Sequence, residues 1–289
     1  MKIRRAARDF TAADLPKNRP AVFFDCWKIR YRLLFALGGL LLVFCLPLLA
    51  CHFTRDVMCA SAAAAEGMDE AARRAAVATI RMYFSLIDIP CWLVLSVGLS
   101  GALRILRQLV WGEGIFFWED FLTGIRTNGK PAALLFGLGA LWGVLCELTG
   151  NLSGASGGLG YLPYISGVVL LLPIALLLFC EIAVYQSGFP TLLRNAVILY
   201  FRTLPTTLAA TVPLLLPFLV TGILDAFPVP LFVRYVFLLA YVFLLLPSTV
   251  MGEFLYASFV FDRHINRRLH PEYVDKGIHR EQGGKSEEQ

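Results

Sequence analysis

The chain has 289 residues and a net charge of +5, and only 16% of its residues are charged while 57% are hydrophobic. Its mean hydropathy is +0.66. Soluble domains carry about 25% charged residues, so this composition excludes an ordinary soluble domain and removes nucleic-acid binding as the reason for the positive charge.

Six apolar runs dominate the sequence, and each has about the 20 residues that a helix needs to cross a hydrocarbon core. The sequence therefore predicts an all-α polytopic membrane protein with transmembrane helices at 33–53, 82–103, 131–152, 163–185, 206–226 and 231–259. This divides the chain into a basic cytoplasmic leader with an interfacial helix (1–32), a transmembrane domain (33–259) and a polar cytoplasmic tail (260–289).

The orientation is predicted from the positions of the basic residues. Of the 26 Lys and Arg residues, 21 flank the apolar runs on the side of the two termini, and five lie on the other side. Basic residues accumulate in cytoplasmic segments, so we expect the protein in a cell membrane with both termini in the cytoplasm. The first run is too long for a cleaved signal peptide and is expected to act as an uncleaved insertion signal.

Aromatic and aliphatic residues at helical spacing, with Lys or Arg beside them, precede the first, third and fifth runs. The segments are VFFDCWKIRYRLLFAL, FFWEDFLTGIRTNGKPAALLFGL and TLLRNAVILYFRTLPTTLAAT. The pattern predicts amphipathic helices in the headgroup layer on the cytoplasmic side. Two explanations stay open at this point: three repeats of an interfacial helix plus a hairpin, or convergence on a sequence that suits a membrane boundary.

The first connection is rich in alanine and predicts an external helix leading into the second span. Ser61 is its expected N-cap. The pairs Asp69–Arg73 and Glu70–Arg74 place an acid one helical turn before a base, so both are expected to form ion pairs.

Glycines within the second and third spans predict close contacts between helices. Gly98 and Gly101 lie in the second span, and Gly139 and Gly143 form a small-xxx-small pair in the third. Close backbone approach at small residues supplies much of the packing in lipid. We therefore expect a central third span packed against the second.

Acidic residues inside a membrane are costly and are therefore candidate functional residues. Asp225 closes the fifth run and is interpreted as solvated. The candidates are Asp88, Glu147, Glu181 and Glu253, none of them expected at the midplane, where transporter sites usually lie. Asp88 and Glu147 fall on the outer side, and as an adjacent pair they would share a proton.

Glu181 and Glu253 lie near the C-terminal ends of their spans, where the helix dipole disfavours a negative charge. Our hypothesis is a cytoplasmic-side cluster in which they pair with Arg104 or Arg107, which close the second span at the same level. A structural ion-pair cluster is favoured over a substrate or proton site.

No catalytic or cofactor signature accompanies these acids. The sequence has no Ser/His/Asp grouping, HExxH motif, P-loop or CxxC dithiol. Cys51, His52 and Cys59 are too few for a metal site, so we interpret them as packing residues. We expect no enzymatic activity, no metal and no cofactor.

Four stretches spread over most of the chain carry a family likeness: FFDCWKIRYRLLFALGGLLLVFCLPLL, GLSGALRILRQLVWGEGIFFWEDFLTGIRTNGK, TLLRNAVILYFRTLP and FVFDRHINRRL. They resemble the YesL-like family of bacterial multi-pass membrane proteins, whose shared domain is of unknown function. The chain departs from that family in its Ala-rich insert (61–78) and its Gly-rich third connection. The resemblance implies a role beside carbohydrate uptake systems and gives no site residue to carry over.

We therefore expect a non-enzymatic membrane protein that is accessory to the transport of solutes, carbohydrates among them. Its partners would be the lipid bilayer and either a transporter complex or a second copy of the chain. The alternative is a small-solute or ion transporter in its own right, with the intramembrane carboxylates in its pathway.

Overall fold

The computed structural model describes residues 16–152, 160–227 and 229–278, and this part of the chain is helical with no strand. Six of its long helices are apolar enough to cross a membrane by length and composition, which confirms the predicted all-α class. With the shorter helix α5 they are α1 Arg19–Ala63, α2 Glu70–Trp111, α3 Phe117–Leu152, α4 Leu162–Val184, α5 Phe189–Arg202, α6 Leu204–Asp225 and α7 Leu231–Leu269. Most of the third connection and the Asp225 side chain lie outside the described residues.

The spanning helices run antiparallel, so the bundle has two ends. At one end Arg19 at the start of α1 meets Asp262 near the end of α7, and we call this the proximal end. At the opposite, distal end, Asp56 of α1 accepts hydrogen bonds from Arg234 at 3.2 Å and from the Tyr235 hydroxyl at 2.9 Å. The first and last spanning helices are therefore tied together at both ends.

The three predicted amphipathic segments differ in how they join their spans. The first belongs to α1 and is set off by a kink at Arg30 (φ −116°, ψ 21°). The second runs straight into the span within α3, through Pro131. The third is the separate helix α5, which ends where Thr203 leaves helical geometry. Their position in a headgroup layer stays a prediction.

The predicted external helix leads into the second span as expected, but it begins at Glu70 and not at Ser61. Both flanking spans extend as helices beyond their apolar runs and meet in a short turn at Gly67, where φ is +82°. Ser61 lies inside α1 and bonds back to Val57, whereas Asp69 caps α2 by accepting from the Ala72 N–H at 2.6 Å. Asp69 is the cap because its carboxylate directly precedes the first helical turn.

Of the two predicted ion pairs, only one forms. Arg74 bonds to the Glu70 carboxylate. Arg73 donates instead to the Met68 carbonyl at 3.0 Å, because Asp69 is already engaged with the helix N-terminus.

The third span is not the central helix. Half of the most apolar stretch is buried in α2 and in α4, against 17% in α3. The predicted packing between the second and third spans is confirmed, since a Cβ on Gly101 would lie 2.7 Å from the ring of Phe121. A Cβ added to Gly139 or Gly143 would meet no described atom within 4 Å, so the predicted small-xxx-small contact is wrong.

Prolines within the spans leave backbone carbonyls without helical donors, and neighbouring helices supply the donors instead. Pro173 has no N–H for the Val169 carbonyl, which accepts from the Tyr200 hydroxyl at 2.5 Å. Pro217 likewise leaves the carbonyl of Pro213, which accepts from Tyr241 at 3.4 Å. These bonds attach α5 to α4 and α7 to α6.

The start of the predicted polar tail is packed at the proximal end. α7 continues past residue 259 to Leu269, and Asp262 and Asn266 are buried. Asn266 accepts from the Tyr185 hydroxyl at 2.5 Å and donates to Asp262 at 2.7 Å. Lys276 then lies over the ring of Trp111, 4.2 Å from its centroid. The chain from 262 to 278 is therefore part of the bundle.

Candidate functional site

The two outer candidates, Asp88 and Glu147, have different partners. Asp88 and His52 face each other with 3.0 Å between the carboxylate and ring nitrogen. The hydroxyl of Tyr164 donates to Glu147 at 3.4 Å. The structure therefore places each acid in its own hydrogen bond and does not form the hypothesised carboxylate pair.

Two thiols accompany Asp88. Cys51 on α1 lies within electrostatic interaction range of the Asp88 carboxylate and of the Cys91 thiol on α2. Cys59 is two helical turns further along α1, about 12 Å away at the helical rise, and cannot join the group. Within the described ranges, no three potential ligands are arranged to hold a metal ion.

Arg104 pairs with an acid that the sequence analysis did not select. Asp120, in the first turn of α3, lies 3.3 Å from Arg104 and accepts from Gln108 and from the Phe116 N–H, both at 2.8 Å. A carboxylate at a helix N-terminus is favoured by the helix dipole and caps orphan N–H groups. The sequence could have indicated this role for Asp120, because Glu119 and Asp120 lie in the first turn of the third helix.

Arg107 binds a helix end, and it pairs with no carboxylate among the residues that the structure describes. Its guanidinium donates to the carbonyl of Ala183 at 2.7 Å, in the last turn of α4, and lies 5.0 Å from the Trp111 ring centroid. A carbonyl in the last turn of a helix lacks a helical donor and carries part of the negative end of the dipole, so an arginine satisfies it well.

The hypothesised cluster of Glu181 and Glu253 with an arginine therefore does not form. Glu181 is fully buried, and neither of its carboxylate oxygens has a hydrogen-bond partner among the described residues. Both arginines donate hydrogen bonds to other groups: Arg104 to the Asp120 carboxylate and Arg107 to the Ala183 carbonyl.

Glu253 borders a cavity with a volume of about 610 Å³. Its walls are the first part of α1, α6 and the middle of α7. The volume is in the range of small-molecule sites, roughly 300–1,000 Å³. Glu253 is only 6% exposed.

Most of the cavity wall is apolar or aromatic, with a small set of polar groups from α6 and α7. Phe23 and Trp27 of α1 form the aromatic wall. The polar groups are Thr206, Tyr241, Ser248, Thr249, Glu253 and Tyr256.

The hydroxyl groups of the cavity differ in how well they are satisfied. Tyr256 lies 2.8 Å from the Thr207 hydroxyl, and Tyr241 lies 3.3 Å from that of Thr249. Ser248 is the exception: its buried hydroxyl has no partner in the described part of the chain. The sequence analysis missed this surface, although the polar residues of α7 recur at helical spacing along one face.

The arrangement offers a buried carboxylate, a buried serine hydroxyl and aromatic rings around one opening. It can hold a small molecule by polar and aromatic contacts. Comparison with known proteins adds no assignment, since no family model, no curated protein and no solved structure matches the chain.

Proposed function

We propose that the chain is a non-enzymatic integral membrane protein that is accessory to solute transport, with carbohydrates among the solutes. The observation that carries this proposal is the separation of the four candidate acids. Asp88, Glu147 and Glu181 lie outside the cavity lining, and Glu253 alone borders it. A pathway built on several of these acids would bring them to one opening.

The proposal includes a place and an orientation: a bacterial cell membrane, with the proximal end in the cytoplasm. The excess of Lys and Arg around the termini supports it, because such residues are retained on the cytoplasmic side. The kinked start of α1, with Trp27 beside Lys28 and Arg30, has the composition of a segment at the lipid headgroups.

A row of leucines on α3 supports an accessory role. The residues follow alternating steps of four and three, each is at least 40% exposed, and they are Leu134, Leu138, Leu141, Leu145 and Leu148. This heptad spacing suits a second helix packed along α3. The partner helix would belong to a transporter subunit or to a second copy of the chain.

Co-purification in mild detergent tests the accessory role. We expect a transporter component, or a second, differently tagged copy, to be recovered with the tagged chain. Leu138→Trp with Leu141→Trp should remove that partner, whereas Phe218→Trp on the exposed face of α6 should keep it. Recovery of no partner, under conditions that preserve known membrane complexes, would contradict the proposal.

The cavity favours a second candidate function, a small-solute transporter in its own right. Glu253 would then be the carboxylate of the pathway. Purified protein in liposomes should transport at least one of a broad panel of solutes, and Glu253→Gln should reduce the flux. The absence of flux for every solute would remove this candidate.

A further inference from the structure

We propose that the cavity around Glu253 is a binding site for an organic cation with a large apolar surface. The inference deepens the second candidate function, since it names the class of molecule that the cavity would take. It starts from the carboxylate of Glu253, which is buried and has no basic partner among the described residues.

The charge of Glu253 is not balanced by an ion pair in the described part of the chain. None of the ion pairs among residues 16–152, 160–227 and 229–278 includes this carboxylate, although it is only 6% exposed. Moving a charged carboxylate from water into the protein interior costs roughly several kcal/mol of free energy, unless a cation pairs with it or a proton neutralises it. A bound cation would supply the missing charge.

The remaining walls suit the body of such a cation. Trp27, Tyr241 and Tyr256 place aromatic rings around the opening, and the electron-rich face of an aromatic ring attracts a cation. The apolar wall of α6, with Ala210, Pro213 and Leu216, would cover a hydrocarbon surface. The Ser248 hydroxyl, which has no partner among the described residues, adds a polar contact for a substituent of the ligand.

The charge requirement can be tested with two ions of the same shape. Tetraphenylphosphonium and tetraphenylborate have closely similar size and surface and carry opposite charges. Equilibrium dialysis against the full chain in phosphatidylcholine nanodiscs, with empty nanodiscs as the blank, measures both. We expect the cation to bind at least about tenfold more tightly than the anion, because a buried charge discriminates strongly against its like.

Variants locate the site. Glu253→Gln should weaken binding of the cation at least about tenfold, whereas Glu181→Gln, which changes a buried glutamate outside the cavity lining, should leave it unchanged. Gly252→Leu should also abolish binding by filling the space. A Cβ at Gly252 meets Phe23 at an ordinary 3.7 Å, so the added side chain extends into the cavity without a backbone clash.

Equal binding of the two ions, or unchanged binding by both Glu253→Gln and Gly252→Leu, would overturn the inference. If Glu253→Gln does not fold, the inference is tested by the comparison of tetraphenylphosphonium with tetraphenylborate and by Gly252→Leu. Binding of the cation with no flux of any solute would support the site and remove the transporter. Flux of a solute without binding of the cation would do the opposite.

Discussion

At Gly38 the backbone of α1 touches the backbone of α7. Pro247 has no N–H to offer the Phe243 carbonyl one turn earlier, so that carbonyl points out of its own helix. The Phe243 oxygen approaches α1 at Gly38, which has no side chain. A Cβ on Gly38 would lie 2.0 Å from that oxygen. One proline and one glycine, some two hundred positions apart, thus set the distance between two spans.

Gly38→Ala should lower the stability of the protein. The methyl group would collide with backbone that cannot move without shifting a helix, and overpacking of this kind costs about 1–3 kcal/mol or more. The thermal unfolding temperature in detergent measures the effect.

Gly39→Ala is the matched control for this change. Its Cβ would meet only the ring edge of Phe243, at an ordinary 3.6 Å. If the two variants unfold at the same temperature, the close approach of α1 and α7 at Gly38 is refuted.

At the scale of helices, pairs of elements are held by polar contacts near their ends. The proximal end of α7 is the clearest case. Asp262 accepts from Arg19 at 2.5 Å, from Asn266 at 2.7 Å and from the Asp275 N–H at 3.3 Å. One carboxylate therefore connects the start of α1, the end of α7 and the segment after it.

Asp262→Ala should destabilise the bundle by roughly 3 kcal/mol, because hydrogen bonds to a charged group that is mostly buried are among the stronger ones. Urea unfolding followed by Trp fluorescence measures the change. Glu272→Ala removes the exposed pair with His270 and should cost under about 1 kcal/mol. A smaller effect at Asp262 than at Glu272 would show that this contact does not hold the segment.

The contact between α1 and α2 at the distal end predicts a cross-link. Cys51 and Cys91 lie within interaction range of each other, so we expect diamide to oxidise their two thiols to one disulfide, the diamide taking up two electrons and two protons. Mass spectrometry of the digested protein would find the joined peptides. Cys51→Ser should remove the product, whereas Cys45→Ser should not. Cross-linking of Cys51 to another cysteine would place the two helices in a different register.

For the whole molecule, the antiparallel course of the helices brings Arg19 and Asp262 to one end. A chain that passes through the bundle an even number of times must begin and end on the same side. The proximal end also carries the packed segment that follows α7, whereas the distal end is closed by the contacts of Asp56 and Asp88. The two ends therefore differ in structure as well as in charge.

Reporter fusions test the proposed orientation. Green fluorescent protein after residue 289 should fluoresce, because it folds in the cytoplasm, and alkaline phosphatase after residue 67 should be active outside it. The excess of basic residues on the proximal side is the physical reason. The reverse pattern of activities would overturn the orientation.

The sequence by itself was enough to predict the all-α class and six helices long and apolar enough to cross a membrane, because that capacity depends on the length and apolar content of each segment alone. It also predicted the Glu70–Arg74 pair, since both residues lie one turn apart on the same helix. The repeats and the family resemblance stay predictions.

Only the tertiary structure decided which partner each charge takes and where space is left. Arg104 and Arg107 lie in the last two turns of α2, and they bind Asp120 and the Ala183 carbonyl, respectively, instead of Glu181 or Glu253. Those choices depend on the rotation of each helix about its axis and on the local demand of helix ends for donors. The cavity at Glu253 arises from the fit of α1 against α6 and α7, which lie far from it in the sequence, and hydropathy does not encode that fit.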